Sequence, residues 1–204
     1  MIIDLHTLPA PQVYFTMIQT ILPRPIAWVL SENRDGSYNM GPYSYFNAVC
    51  SDPPLVMVSL GLKPNGDFKD SKINIEERSD FVIHLVDEEN LDAMNQTSAT
   101  LPYGESEVEK AGLETVDFPG SRLPRIKNTR VAFACERHQM IQLGSAPQTL
   151  AIGLVKHIYV DDEVCGEDAK GRLKVLADKI RPVGRIGAGE YVSFGEILRL
   201  ARPD

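Results

Sequence analysis

Residues 41–59, GPYSYFNAVCSDPPLVMVS, decide how the rest of the chain is read. The stretch holds two strand-like runs separated by Asp52-Pro53-Pro54. Tyr43, Tyr45 and Phe46 favour extended backbone, as do Val56 and Val58. Pro53 and Pro54 cannot donate ladder hydrogen bonds, so a corner or a strand edge falls there. Between the runs, Ser44, Tyr45, Phe46, Asn47 and Ala48 set small and polar groups beside rings. A flat heteroaromatic ligand needs that mixture: apolar faces to lie against, and amides or hydroxyls to meet its ring-edge atoms. The alternative is a half-buried hairpin of a β-rich core. A second polar cluster, Lys69-Asp70-Ser71 followed by Asn74, turns attention to the ligand.

Outward from this stretch, Pro25–Ser31 is a compact strand, and Asn33-Arg34-Asp35-Gly36-Ser37 has the chemistry to reverse it. A strand from Tyr38 to about Asn47 and another from Leu55 to Leu60 complete an expected three-stranded meander. Residues 2–20, interrupted by Pro9 and Pro11, read as a lead-in with about one helical turn. Asp70–Arg78 is a short helix capped by Asp70, Asp80–Val86 a strand, and Asp87 to about Ser98 a helix. Residues 99–120 read as a surface excursion, with Glu105, Glu107, Glu109 and Lys110 on a solvated helix face. Arg130–Glu136, Gln139–Leu143 and Thr149–Val160 are strand-like, with a bulge at Gly153. Lys170–Ile180 suggests a modest helix, and a glycine-rich turn over 184–191 leads into Tyr191–Leu200. Six or more strands and few helices, with no repeat or linker, predict one mainly β domain over residues 1–204. Its form is a closed or nearly closed barrel with peripheral helices.

The 204 residues are 43% hydrophobic, enough for a real core, and carry a formal charge of −7. That charge argues against nucleic acid or an anionic membrane as partner, so an anionic ligand must be held by local cations or backbone amides. Cys50, Cys135 and Cys165 lack disulfide or zinc spacing, and reduced thiols in a cytoplasmic protein are expected. Cys50 reads as a small buried filler. The opening MIIDLHTLPAPQVYF does not have the layout of a secretory signal, and no run reaches the length of a membrane span.

Lys69-Asp70-Ser71 at a helix start combines a cation, a hydroxyl and orphan N–H groups, which suits a phosphate monoester. Asp70 alone would repel phosphate, so capping or orienting is its expected task. The competing reading is an ordinary cap beside a solvated lysine. Arg24, between Pro23 and Pro25, is held where its backbone has little freedom; a ligand phosphate or carbonyl and a surface ion pair are equally good partners. Trp28, His84 and His157 sit in apolar runs and read as core or barrel-rim residues. His6, His84, His138 and His157 have no metal-ligand spacing, and neither a metal nor a hydrolytic nucleophile is expected.

Pro23–Ser31, the Gly36 turn and Asn39–Pro54, together with Lys69-Asp70-Ser71, Asn74 and Arg185–Tyr191, resemble the flavin reductase-like, FMN-binding split-barrel family, which includes the flavoredoxins. The resemblance runs over about residues 20–195. It implies a six-stranded Greek-key split barrel that forms a homodimer, with FMN near the dimer interface. Ser44, Tyr45, Phe46, Asn47 and Ala48 would then lie along the isoalloxazine, Asn47 on its polar edge and Ser59 close by. Lys69, Asp70 and Ser71 would serve the phosphate, assisted by Asn74 and Arg24, and Tyr191 would reach the flavin from a distant part of the chain or from the partner subunit. Ser71 stands where many relatives carry Thr. Pro147-Gln148 stands where many NAD(P)H-dependent members carry Asp-His.

The resemblance implies an FMN-dependent oxidoreductase passing electrons from a reduced pyridine nucleotide, NADH or NADPH, to a flavin or another small-molecule redox acceptor. An electron-carrier flavoprotein fed by another redox protein is the alternative that Gln148 favours. A barrel binding some other phosphorylated heteroaromatic compound without redox work is the third.

Overall fold

The apolar run Ile26–Leu30 is continuous rather than alternating because the strand it forms is covered on both faces. In the computed structural model, which describes residues 1–145, 148–201 and 203, β1 (Ala27–Glu32) lies inside a seven-stranded antiparallel sheet. The others are β2 (Tyr38–Tyr43), β3 (Phe46–Ser51), β4 (Pro54–Leu60), β5 (Asp80–Leu85), and the two long strands of a hairpin. Those two belong eighth and ninth in chain order, after the two-residue β6 (Thr115–Val116) and β7 (Arg125–Ile126): β8 (Val131–Leu143) and β9 (Gln148–Val160). The sheet order is β2-β1-β5-β8-β9-β4-β3. Ala27 and Val29 face one core cluster with Val58, Leu60, Ile75, Phe81 and Ile83. Trp28 and Leu30 face another with Met40, Val82, Met94, Phe118 and Ile126.

The expected meander is not formed. β2 and β3 follow each other in the chain, yet they are the two opposite edges of the sheet. Only Ser44 and Tyr45 join them, so the sheet has to curl until its edges meet. The backbone N–H of Ser59 donates to the Tyr45 carbonyl at 2.9 Å and fastens that joint to β4. The result is a mainly β split barrel with seven strands rather than six. The single strand expected from Tyr38 to Asn47 breaks at Ser44–Tyr45, because its first half pairs with β1 and its second with β4.

Gly36 takes φ +87° in the β1–β2 turn, as its position demands. β8 and β9 slip register between Arg137 and Gln139, so the additional residue, His138, lies in β8 opposite Gly153. Gly153 itself is required by packing: a Cβ there would lie 2.5 Å from Cζ of Phe81.

Several elements differ from expectation. The first helix, α1 (Ala10–Thr20), runs for 11 residues, because Pro11 sits in its first turn, where a missing N–H is tolerated. α2 (Asp70–Arg78) matches, but its N-cap is Lys69 rather than Asp70. α3 (Leu91–Gln96) starts late: Asp87 Oδ1 accepts from the N–H groups of Glu89 and Asn90, which holds a turn in place of helix. The 99–120 excursion is not a solvated flap. α4 (Glu107–Lys110) buries Glu107 and Val108, and Phe118 is 5% exposed. The helix expected over 170–180 is instead a hairpin, β10 (Cys165–Glu167) with β11 (Leu173–Val175), turned by Gly171 at φ +70°, followed by the short α5 (Ala177–Ile180). β12 (Gly184–Gly187) pairs with β13 (Glu190–Val192), and no strand continues to Leu200. Cys50 is exposed rather than buried, on an edge strand that leaves it open to solvent. His157 is exposed as well, whereas His84 is fully buried.

Candidate functional site

A cleft of about 700 Å³ opens beside the Ser44–Tyr45 joint, a size suited to a cofactor or other small molecule. It draws on the chain before β1, on β2 and the joint, on the segment after β4, on the start of α2 and on residues 94–101. Two clusters of polar side chains line it.

The first cluster surrounds the joint. Arg24 is 4% exposed, and its Nη1 donates to the carbonyls of Ile18 at 2.5 Å and Ile21 at 2.7 Å, gripping the end of α1. Its Nε donates to Ser44 Oγ at 3.3 Å. Arg24 also exchanges two backbone hydrogen bonds with Arg185, which ties β12 to this wall. Ser59 accepts a hydrogen bond from Gln148 Nε2 at 2.8 Å, and both line the cleft. Tyr14 and Phe15 of α1 and Tyr45 add rings. Burial, and then the neighbouring Tyr14, push the Tyr45 phenol above its ordinary pKa.

The second cluster is ionic. Lys63 pairs with Asp70, and its Nζ also donates to the Leu101 carbonyl at 3.2 Å. Asp70 Oδ2 accepts from the backbone N–H of Gly104 at 3.2 Å. Glu107 Oε2 accepts from the backbone N–H of Met40 at 3.0 Å, and burial raises its pKa. Lys69 stands among them with no carboxylate at ion-pair distance among the described residues. Burial lowers its pKa, and the positive charge of Lys63 lowers it further.

Of the residues singled out in the sequence, Arg24, Ser44, Tyr45, Ser59, Lys69 and Asp70 line this one cleft. Phe46, Asn47 and Ala48 lie on β3 outside it: Phe46 packs against the inner core, while Asn47 and Ala48 are exposed. Ser71 and Asn74 are 1% exposed and belong to a buried network that fastens α2 to the sheet. Ser71 Oγ accepts from Asn39 Nδ2 at 2.8 Å and is within 3.0 Å of the Tyr43 hydroxyl, which donates to it. Asn74 Nδ2 donates to Asn33 Oδ1 at 2.8 Å and Ser31 Oγ at 3.2 Å. Tyr191 stands behind the wall, its ring under the Arg185 guanidinium at 4.5 Å and its hydroxyl donating to Asn95 Oδ1 at 3.4 Å. Pro147 lies outside the described residues.

Lys63 and Glu107 escape the sequence reading. Lys63 lies in a turn whose Pro-Asn-Gly composition explains itself without a site, and Glu107 lies in a run with an acidic residue at every second position that resembles a solvated face. The one hint was Val108, an apolar neighbour inside that run.

The flavin reductase like domain model matches residues 19–177. The chain belongs to this family. An uncharacterised protein of Halalkalibacterium halodurans is 36% identical over 194 residues, covering 93% of this chain and 90% of its own. Nitrilotriacetate monooxygenase component B from Bacillus cereus is 33% identical with a TM-score of 0.89, covering 98% of each chain. The 2-nitrobenzoate 2-nitroreductase of Pseudomonas fluorescens is 29% identical with a TM-score of 0.88, covering 100% of this chain and 96% of its own. Membership of the flavin reductase-like family supports a flavin-linked oxidoreductase activity, a flavin cofactor and a small-molecule redox substrate. Among the described residues, no helix is long and apolar enough to cross a membrane, and no group of three or more potential metal ligands is present.

Proposed function

We propose that this protein is an FMN-dependent oxidoreductase, moving electrons from a reduced pyridine nucleotide to a flavin or another small acceptor. The observation that carries the reading is that Ser44, Tyr45 and Ser59 share one cleft with Lys69 and the start of α2. The donor set fits a phosphorylated flavin. Asp70, which alone would repel a phosphate, is neutralised by Lys63. Lys69 therefore remains to meet the phosphate, beside the first N–H groups of a nine-residue helix that has no side-chain cap. The hydroxyls of Ser44 and Ser59 suit ring-edge acceptors, and the Tyr45 ring offers an apolar face.

A bound flavin would supply the hydride and electron chemistry, so the chain needs no acid–base pair of its own. Its residues bind, orient and exclude water: Arg24 holds α1 against the cleft, and Lys63 with Asp70 keeps the ionic wall rigid. Asn47, Ala48, Ser71, Asn74 and Tyr191 do not line the cleft within one subunit. In this reading Ser71 and Asn74 hold α2 in place, and Asn47 and Ala48 approach the cofactor only across the interface of a homodimer. The family likeness to a nitroreductase supports reductive chemistry. A second reading, an electron carrier without its own nucleotide site, is favoured by Gln148, a neutral amide where many nucleotide-oxidising relatives carry His.

The test is anaerobic mixing of FMN-loaded protein with NADH and with NADPH. Bleaching of the yellow band within turnover times is the expected result. A loaded protein that stays yellow with both supports the carrier, and protein that fails to take up FMN contradicts both readings.

A further inference from the structure

The contact between Gln148 and Ser59 has a direction. A carboxamide nitrogen can only donate, so at 2.8 Å from Nε2 the Ser59 oxygen accepts, and its own hydrogen must go elsewhere. The neighbouring positions bring the two side chains together. Ser59 is anchored through its backbone N–H to the Tyr45 carbonyl. Gly61 lacks a side chain where a Cβ would come within 3.3 Å of Gln148 Oε1, so the amide lies close against the main chain. Among the described residues, no protein acceptor takes the Ser59 hydroxyl hydrogen. Ser59, Gly61 and Gln148 all line the cleft.

We infer that Gln148 is a positioning residue: its amide fixes the Ser59 hydroxyl as a donor into the cleft, toward a carbonyl or imine acceptor of the bound ring. The inference rests on the flavin reading for the identity of that ring, but not for the orientation of the pair. A carboxylate at 148 reverses the arrangement. It can only accept, so it captures the hydroxyl hydrogen and withdraws it from the ligand.

The experiment is a double-variant cycle of S59A and Q148E, reading FMN affinity and the two-electron potential of the bound flavin. Q148E is expected to weaken FMN binding about tenfold and to shift the potential by about 30 mV, equivalent to a tenfold change in the ratio of affinities for the two redox states. In the S59A background the same substitution should shift little, because no hydroxyl remains to be turned. Equal shifts in both backgrounds would mean that the new charge acts directly, and would overturn the inference. Q148M, which removes the donor without adding charge, should weaken binding by a factor of a few; unchanged affinity in Q148M also counts against it. Nitrogen-15 spectra of flavin-free protein read the pair by itself. The Gln148 side-chain amide resonances should move in S59A, and resonances that stay put refute the orientation whatever ligand binds. A protein that shows this movement but takes up no FMN would sink the flavin reading alone.

Discussion

Lys63 and Asp70 form an ion pair in the cleft wall with only 9% and 3% of their side chains exposed. A pair this deeply desolvated is a weak source of stability as a whole, but losing one partner strands the other. D70N is therefore expected to destabilise the protein by about 3 kcal/mol in urea unfolding. The double variant K63M/D70L should recover part of that loss. A D70N penalty below about 1 kcal/mol would mean that the wall is wetter than its geometry indicates.

Lys69 should discriminate between phosphorylated and unphosphorylated flavin. A charge-assisted hydrogen bond contributes roughly 1.5–3 kcal/mol, so K69M is expected to lower FMN affinity by about ten- to a hundredfold. Riboflavin affinity should stay near the wild-type value. Fluorescence titration of both ligands checks this, and equal losses would remove Lys69 from phosphate binding.

His84 is buried between two partners: its Nδ1–H donates to the Trp28 carbonyl at 3.1 Å, and its Nε2 accepts from the Ile126 N–H at 3.0 Å. Burial pulls its pKa down to about 4. Between the ordinary value of 6.5 and about 4, the unfolded chain binds a proton that the folded one refuses, so stability falls as pH falls through that window. The loss is on the order of 3 kcal/mol, at about 1.4 kcal/mol per pKa unit. Burial raises the pKa values of Asp87 and Glu107, which act in the opposite sense, so the comparison has to be differential. The wild-type minus H84N stability difference should shrink steadily from pH 6.5 to 4; a constant difference would show that His84 does not titrate in this way.

Gly153 faces the ring of Phe81 in the barrel interior. G153A places a methyl group 2.5 Å from Cζ, well inside van der Waals contact, and overpacking of this kind costs about 1–3 kcal/mol. F81L should relieve the clash, so the double variant is expected to lose less than the two single losses added together. Strict additivity in thermal or urea unfolding would contradict this account of the glycine.

The sequence made the β-rich architecture and the hairpin at Gly36 legible, because aromatic and β-branched runs and turn residues act locally. It misleads on how the strands between Tyr38 and Leu60 pair. Nothing local distinguishes Tyr38–Asn47 as one strand from two strands on opposite sheet edges; only the pairing of its first half with β1 and of its second half with β4 decides it. α1 is longer than its sequence suggests because prolines at a helix start and prolines in its interior look alike in composition. In the cleft, Lys69 and Asp70 were legible from the cation beside a helix start. Lys63 and Glu107 were not, since each becomes part of the cleft only when distant segments, residues 101–107 above all, close over α2. Ser71 and Asn74 stand out in the sequence for a polarity that the fold directs inward.

The two-residue joint at Ser44–Tyr45 makes curvature and recognition inseparable. The same pair of residues that forces the sheet to roll up also supplies part of the pocket's lining, so a chain that failed to close its seam would lose its ligand before it lost its strands. Lengthening that connector by even a few residues should yield a protein with its secondary structure preserved and its grip on small molecules gone.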